Sequence, residues 1–339
     1  MLDTLETLCC LDGVSGAEDE IREYILERCM PYADEITTDA MGNLLVFRKG
    51  RVTPPHRVML CAHMDEVGLM IMSVTDEGYL RFAPIGGIDR RVLPGKRVFV
   101  GPDRVPGVIG SKAVHLLTAE ERKKAPAAEE LYIDIGAASR DEASKYVRVG
   151  DSAAFDDALV HMGDGYIKAR AIDDRVGCAC MLELLESDLA CDCWFAFTVQ
   201  EEVGSRGARV AAWSLRPELA LVLEATTAAD IPGVSGADRV CALGAGPVIP
   251  FADGGTLYDR ELCARLISLA EEHNLPWQTK TRIAGGTDAS VIQRSRAGVR
   301  TAALSVPVRN LHSPACVAKL SDCEGQLQLA GLFLEAVGK

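Results

Sequence analysis

The sequence has few aromatic side chains and no long hydrophobic run. Aromatic residues make up 5% of its 339 residues. No apolar stretch reaches the roughly 20 residues that a membrane-spanning helix needs. The acidic start of the chain, Met1 to Glu6, lacks the basic region and apolar core of a signal peptide. We therefore expect a cytoplasmic protein that does not use a membrane as a partner.

Basic residues are also fewer than acidic residues. The 36 Lys and Arg are outnumbered by 49 Asp and Glu, which gives a formal net charge of −13. This charge argues against nucleic acid or an anionic membrane as a partner. The apolar fraction of 48% and the charged fraction of 25% are typical of a globular protein. The length allows one large core or two domains.

The 12 cysteines include no Cys-x-x-Cys pair. The pairs Cys178/Cys180 and Cys191/Cys193 could form a thiolate metal site, but most of the cysteines lie in apolar runs. Buried free thiols in a reducing compartment are the favoured interpretation.

Four strand-like runs end at, or lead to, a side chain that can bind a metal ion. The run 193–200 ends at the paired carboxylates Glu201 and Glu202. The runs 58–62 and 219–223 lead into His63 and Glu224, and the run 304–306 is followed by His312. In α/β sheets, ligands bind outside the carboxyl ends of the strands, so we expect these side chains to meet.

The pattern of secondary-structure signals changes between residues 69 and 161. Short β-type runs alternate there with turn signals such as Pro84 to Gly87 and Pro94-Gly95, and helical periods are scarce. The flanking segments mix apolar strands with amphipathic helices. We therefore predict an α/β domain formed by residues 1–68 and 162–339, with residues 69–161 as an inserted β module.

The candidate metal site combines two imidazoles with four carboxylates, a donor set that suits Zn²⁺, Co²⁺ or Mn²⁺. Two ions that share one carboxylate need five ligands, and the sixth group is then free to act as a general base towards a metal-bridging hydroxide. Asp65 could accept the second N–H of a metal-bound His63. The turn 284–290 could bring backbone N–H groups to a ligand, so we add Gly286, Thr287 and Asp288 as candidate substrate-binding residues. The six metal-site candidates are His63, Asp173, Glu201, Glu202, Glu224 and His312.

These motifs together resemble the M42 family of metallo-aminopeptidases, which includes glutamyl and tetrahedral (TET) aminopeptidases and members labelled endoglucanases. The resemblance covers nearly the whole chain. It rests on His-Met-Asp-Glu-Val-Gly at 63–68, Ala-Ile-Asp-Asp-Arg-Val-Gly at 171–177, Gln-Glu-Glu-Val-Gly at 200–204, the segment 224–233, Gly-Gly-Thr-Asp at 285–288 and His-Ser-Pro at 312–314.

The resemblance implies a role for each candidate. One metal ion would be held by His63 and Glu224, and the other by His312 and Glu202. Asp173 would bridge the two ions, Glu201 would be the general base, and Asp65 would orient His63. Glu224 departs from the family, in which aspartate is common at this position, and so does Ala17, where the family often has an aromatic residue.

The resemblance also implies a fold and an assembly. The fold would be a doubly wound α/β zinc-peptidase domain with an inserted, PDZ-like β-barrel lid. The assembly would be a dodecamer built from dimers.

The first hypothesis for function is an aminopeptidase that uses two zinc or cobalt ions, with manganese as a further candidate, to remove N-terminal residues from peptides. A second hypothesis keeps the metals but changes the bond, as in an amidase, a deacylase or a carboxypeptidase. A third is a catalytically silent scaffold that retains the metal set for stability. The sequence does not indicate the preferred N-terminal residue.

Overall fold

A computed structural model describes residues 1–156 and 158–339 of the chain. Its α-helices are α1 (Leu2–Cys10), α2 (Asp19–Cys29), α3 (Arg140–Ala143), α4 (Ile172–Glu186), α5 (Arg206–Leu215), α6 (Arg260–Glu272), α7 (Ala289–Ile292) and α8 (Leu320–Val337). Its strands are β1 (Glu35–Thr38), β2 (Leu44–Arg48), β3 (Val58–His63), β4 (Gly68–Val74), β5 (Leu80–Ile85), β6 (Arg97–Val100), β7 (Val105–Gly110), β8 (Tyr132–Asp134), β9 (Ser152–Phe155), β10 (Val160–Met162), β11 (Tyr166–Ala169), β12 (Cys193–Thr198), β13 (Leu219–Thr227), β14 (Arg300–Val308) and β15 (Cys316–Lys319).

The central sheet has six strands in the order β1-β2-β12-β3-β13-β14. The hairpin β1–β2 adds to one edge in antiparallel fashion, whereas β12, β3, β13 and β14 are mutually parallel. The parallel strands are apolar and almost fully buried, as expected for a sheet covered on both faces. Their carboxyl ends therefore meet along one edge of the sheet.

The segment between β3 and β10 forms a second structural unit. Six of its strands close a small barrel in the order β4-β5-β8-β7-β6-β9. The barrel has a hydrophobic core of its own, which includes Leu69, Ile71, Val98 and Ile133. This confirms the predicted inserted β module. The barrel strands run from Gly68 to Phe155, whereas β10 pairs with β11 in a separate three-stranded sheet.

The amphipathic helices expected in the flanking segments include α1, α2, α5, α6 and α8. Between β8 and β9, α3 is a short helix that ends at Ala143. Ser139 caps α3 by accepting the N–H of Glu142. Within the described part of the chain, no helix is long and apolar enough to cross a membrane.

Candidate metal centre

His63 is the last residue of β3, and its ring is buried at the carboxyl edge of the sheet. Its Nε2 atom lies 3.3 Å from Asp173 Oδ1 and 3.3 Å from Glu224 Oε1. Its Nδ1 atom lies 3.0 Å from the backbone oxygen of Asp65. Because this oxygen can only accept, the contact assigns the N–H to Nδ1 and leaves the Nε2 lone pair facing the two carboxylates.

His312 has a matching environment on the other side of Asp173. Its Nε2 atom lies 3.3 Å from Asp173 Oδ2 and 3.3 Å from Glu202 Oε2. Its Nδ1 atom lies 3.3 Å from the carbonyl oxygen of Gly87, which follows β5 of the barrel. The inserted barrel therefore contributes directly to the orientation of this imidazole.

Asp173 joins the two groups because each of its carboxylate oxygens faces a different histidine. His63, Asp173 and Glu224 can hold one metal ion, and Asp173, Glu202 and His312 can hold another, since the donor atoms of each group lie within 4.8 Å of one another. The five residues come from five separated parts of the chain. The structure thus brings together all five side chains predicted as ligands.

Asp65 sits beneath the paired glutamates and is fully buried. Its carboxylate accepts the backbone N–H groups of Glu201 at 2.9 Å and Glu202 at 3.2 Å, and the hydroxyl of Ser15 at 2.6 Å. Its Oδ1 atom also lies 3.5 Å from His63 Nδ1. Asp65 therefore fixes the turn that presents the two glutamates. The hydrogen-bond contact to His63 Nδ1 comes from the backbone oxygen of Asp65 and not from the carboxylate that was predicted to accept it.

Glu201 stands apart from both groups of metal-competent donors. The hydroxyl of Ser205 donates to its Oε1 atom at 3.3 Å. Burial raises the pKa of its carboxyl well above the usual range, and the negative charges of Asp288 and Glu202 act in the same direction. A buried carboxyl group that lies beside a metal-competent site and outside both donor groups is a candidate general base.

The charges of the site leave an excess of buried carboxylates. Burial raises the pKa of Glu202 to about 8, and repulsion from Asp173 adds to this shift. Burial also raises the pKa of Glu224 well above its usual range, with repulsion from Asp174 as the next cause. Burial opposes ionisation of His312, but Asp173 and Glu202 outweigh it and raise the pKa of the imidazole to about 9. Divalent cations would relieve this repulsion, so the donor set and its electrostatics both fit a metal centre.

Asp174 is a buried residue of the site that the sequence analysis did not single out. Its carboxylate accepts the backbone N–H of His63 at 3.3 Å and that of Gly177 at 3.0 Å. It thereby connects the end of β3 to the first turn of α4. The adjacent Asp-Asp pair was visible in the sequence, but the spatial neighbour of its second member was not.

Two buried arginines flank the Asp173 segment and were also missed. Arg170 Nη1 lies 3.2 Å and Arg175 Nη2 lies 3.5 Å from Glu66 Oε1. Arg175 also donates to the backbone oxygen of Leu8 at 2.6 Å. These contacts attach α1 and the segment after β3 to the turn that carries Asp173. The sequence alone gives no reason to expect a buried arginine, because burial of a guanidinium group without a partner would be very unfavourable.

The three candidate substrate-binding residues occupy different environments. Gly286 is exposed, whereas Thr287 and Asp288 are buried. The hydroxyl of Thr198 donates to Asp288 Oδ2 at 2.6 Å, so this carboxylate faces the interior beside β12. Their role in substrate binding stays a prediction.

Comparison with known proteins agrees with this geometry. The family model described as M42 glutamyl aminopeptidase matches residues 42–329. A putative aminopeptidase from Acetivibrio thermocellus is 38% identical over 331 residues, which cover 97% of each chain. A lysyl aminopeptidase from Pyrococcus furiosus is 33% identical, covering 95% of this chain and 93% of its own. The solved TET1 peptidase of Pyrococcus horikoshii, which can assemble into a tetrahedron or a large octahedral shell, is 36% identical with a TM-score of 0.85 over 97% of this chain and 98% of its own.

Proposed function

Because the chain belongs to the M42 peptidase family, we propose that it is an aminopeptidase that works with two divalent metal ions. The observation that carries this proposal is the position of Asp173, whose two oxygens face His63 and His312 separately. The first ion would be held by His63, Asp173 and Glu224, and the second by Asp173, Glu202 and His312. Zinc or cobalt suits this donor set, and manganese is a further candidate.

The metal pair would supply Lewis acidity, which lowers the pKa of a bound water molecule and polarises the scissile carbonyl group. The chain itself supplies the proton transfer. Glu201 takes the proton of the attacking water and returns it to the leaving amine. Ser205 holds the Glu201 carboxylate by its hydroxyl, and Asp65 holds the backbone of the same turn. The backbone oxygen of Asp65 also accepts the Nδ1–H of His63 and helps to keep the ring in one orientation.

The inserted barrel is proposed to act as a lid over this site and as an element of assembly. The contact between Gly87 and His312 supports the first role, because it places the barrel next to the proposed second ion. The solved TET1 relative supports the second role, since it can assemble into a tetrahedron or a large octahedral shell. We propose that this chain likewise builds a dodecamer from dimers, with residues 69–161 as the inserted unit. A PDZ-like form of the barrel, a doubly wound peptidase domain and a cytoplasmic location remain predictions.

The preferred N-terminal residue is left open. The matched family model is described by a glutamyl activity, and one relative is a lysyl aminopeptidase, so the family includes opposite preferences. Kinetics on a panel of aminoacyl reporter substrates, with each metal added to metal-free protein, tests the proposal directly. We expect release of the reporter only from substrates with a free α-amine.

The same panel distinguishes the alternatives. Cleavage of N-acetylated dipeptides at a similar rate would favour an amidase or deacylase. Cleavage only of peptides with a free C-terminus would favour a carboxypeptidase. A metal-loaded protein that is inert on every substrate would indicate a silent scaffold.

A further inference from the structure

A surface groove between α5 and α7 lies outside the metal centre and has no role in the proposed reaction. Its volume is about 560 Å³, which is within the range of small-molecule sites. Val210 and Val291 form its apolar part, and Arg209, Arg294 and Arg296 contribute the charge. The groove therefore combines an apolar surface with three cations.

These three arginines have no acidic partner among the residues that the structure describes. Exposed arginines elsewhere, such as Arg51 and Arg282, form ion pairs with neighbouring carboxylates. The segments 203–217 and 289–300 contain no Asp or Glu, although the chain as a whole has a net charge of −13. The groove is thus a local positive region on an acidic protein, and its field favours an anion from solution.

Two of the three arginines, Arg294 and Arg296, are held so that their terminal nitrogens remain available. Arg294 Nε donates to the backbone oxygen of Ser290 at 2.7 Å, and Arg296 Nε donates to the backbone oxygen of Trp213 at 2.7 Å. Each of these two guanidinium planes is therefore oriented by a contact through Nε, and the Nη donors have no hydrogen-bond partner among the residues that the structure describes. Oriented guanidinium groups match the oxygens of a phosphate better than mobile ammonium groups do.

An aromatic ring completes the groove. Trp213 is 56% exposed, and the guanidinium of Arg296 covers its ring at 3.9 Å from the centroid. The exposed part of the indole can stack on a planar ring. Ser295 also lines the groove, and its buried hydroxyl has no hydrogen-bond partner among the described residues.

We propose that this groove binds a nucleoside phosphate. The phosphates lie against Arg209 and Arg294, and the base stacks on Trp213. A nucleoside phosphate fits the groove better than a carboxylate-rich peptide does, for two reasons. The groove pairs its cations with an exposed indole, and its volume fits one small molecule.

Calorimetric titration of the metal-loaded protein in phosphate-free buffer tests the proposal with three probes: ADP, inorganic phosphate and adenosine. We expect ADP to bind more tightly than either of the other two. Arg209→Ala and Arg294→Ala should each weaken ADP binding about tenfold or more, because each removes a charge-assisted contact. Trp213→Ala should weaken ADP binding while leaving phosphate binding nearly unchanged. Arg122→Ala removes an exposed arginine of the 3₁₀ helix at Glu121–Lys123 and is the matched control, with no expected effect.

Four kinds of result would overturn the proposal. The first is an absence of ADP binding to the wild-type protein, and the second is affinity that is unchanged in both arginine variants. The third is binding that persists in Arg209→Ala but disappears in His312→Ala, since the ligand would then sit at the metal centre. The fourth is a glutamate-rich peptide that binds as tightly as ADP, or a change in oligomer mass in Arg209→Ala, either of which would make the groove a protein interface.

Discussion

Asp65 accepts the backbone N–H of Glu201 at 2.9 Å, so the residue proposed to orient a metal-binding histidine also positions the proposed general base. The same carboxylate accepts the N–H of Glu202 and the hydroxyl of Ser15. Asp65 is therefore the point at which β3 and the turn after β12 are fixed relative to each other. Contacts of this kind orient metal ligands and contribute to affinity or activity.

Asp65→Asn keeps the size of this side chain but replaces an accepting oxygen with an NH₂ group. The new donor would face a backbone N–H or the Ser15 hydroxyl, and the turn should shift. We expect kcat to fall roughly 10–100-fold, as for other residues that support metal ligands. Steady-state kinetics and metal analysis by mass spectrometry measure the effect. Ser15→Ala, which removes one of the donors to Asp65, is the milder companion variant. Wild-type activity in Asp65→Asn would contradict the positioning role.

Glu201→Gln tests the general base. The substitution preserves the shape of the side chain and the contact with Ser205 but removes the group that takes the proton. We expect kcat to fall by about 10²–10⁴-fold with little change in bound metal. Glu202→Gln is the matched comparison, because we expect it to reduce metal affinity as well as turnover. Full activity of Glu201→Gln would assign the proton transfer to another group.

Gly87→Ala tests the link between the barrel and the metal centre. An added Cβ would lie 3.2 Å from His312 Nδ1, which is closer than ordinary contact and should displace the imidazole. We expect about tenfold weaker binding of the second metal ion and unchanged binding of the first. Gly331→Ala is the control, because its Cβ would meet Leu184 at an ordinary 3.5 Å. If both variants bind the second metal ion with the same affinity as the wild-type protein, the barrel does not position His312.

Glu66→Ala tests the stability of the segment around Asp173. The change would leave the buried guanidinium groups of Arg170 and Arg175 without the carboxylate that they share. We expect a loss of about 3–5 kcal/mol in the free energy of unfolding, measured by urea denaturation. The exposed pair Asp238–Arg282 provides a contrast, and Asp238→Ala should have no measurable effect. If both variants unfold at the same urea concentration, Glu66 does not stabilise this segment.

The sequence predicted the parts of the structure that depend on local pattern. The apolar runs before His63, Glu201 and Glu224 became adjacent parallel strands, and their shared carboxyl edge brought the metal-competent side chains together. His312 belongs to the same edge because it follows β14. The individual roles of these residues rested on the resemblance to a family, since spacing alone does not show which carboxylate faces which histidine.

The parts that the sequence did not predict depend on contacts between distant segments. The contact of Gly87 with His312 joins residues 225 positions apart and requires the barrel to lie against the peptidase domain. The hydrogen bond between Asp174 and the His63 N–H depends on the backbone path at the start of α4. Burial of Arg175 depends on carbonyl groups at the end of α1 that its guanidinium can reach. None of these produces a periodic signal along the chain.

In the proposed centre, one metal ion would lie on each side of Asp173. Anomalous diffraction from crystals of the zinc-loaded protein, recorded at the zinc absorption edge, measures this directly. We expect two anomalous peaks per chain, one next to His63 and Glu224 and the other next to Glu202 and His312, and the loss of both in crystals of Asp173→Ala. A single peak, or two peaks that persist without the Asp173 carboxylate, would contradict the account.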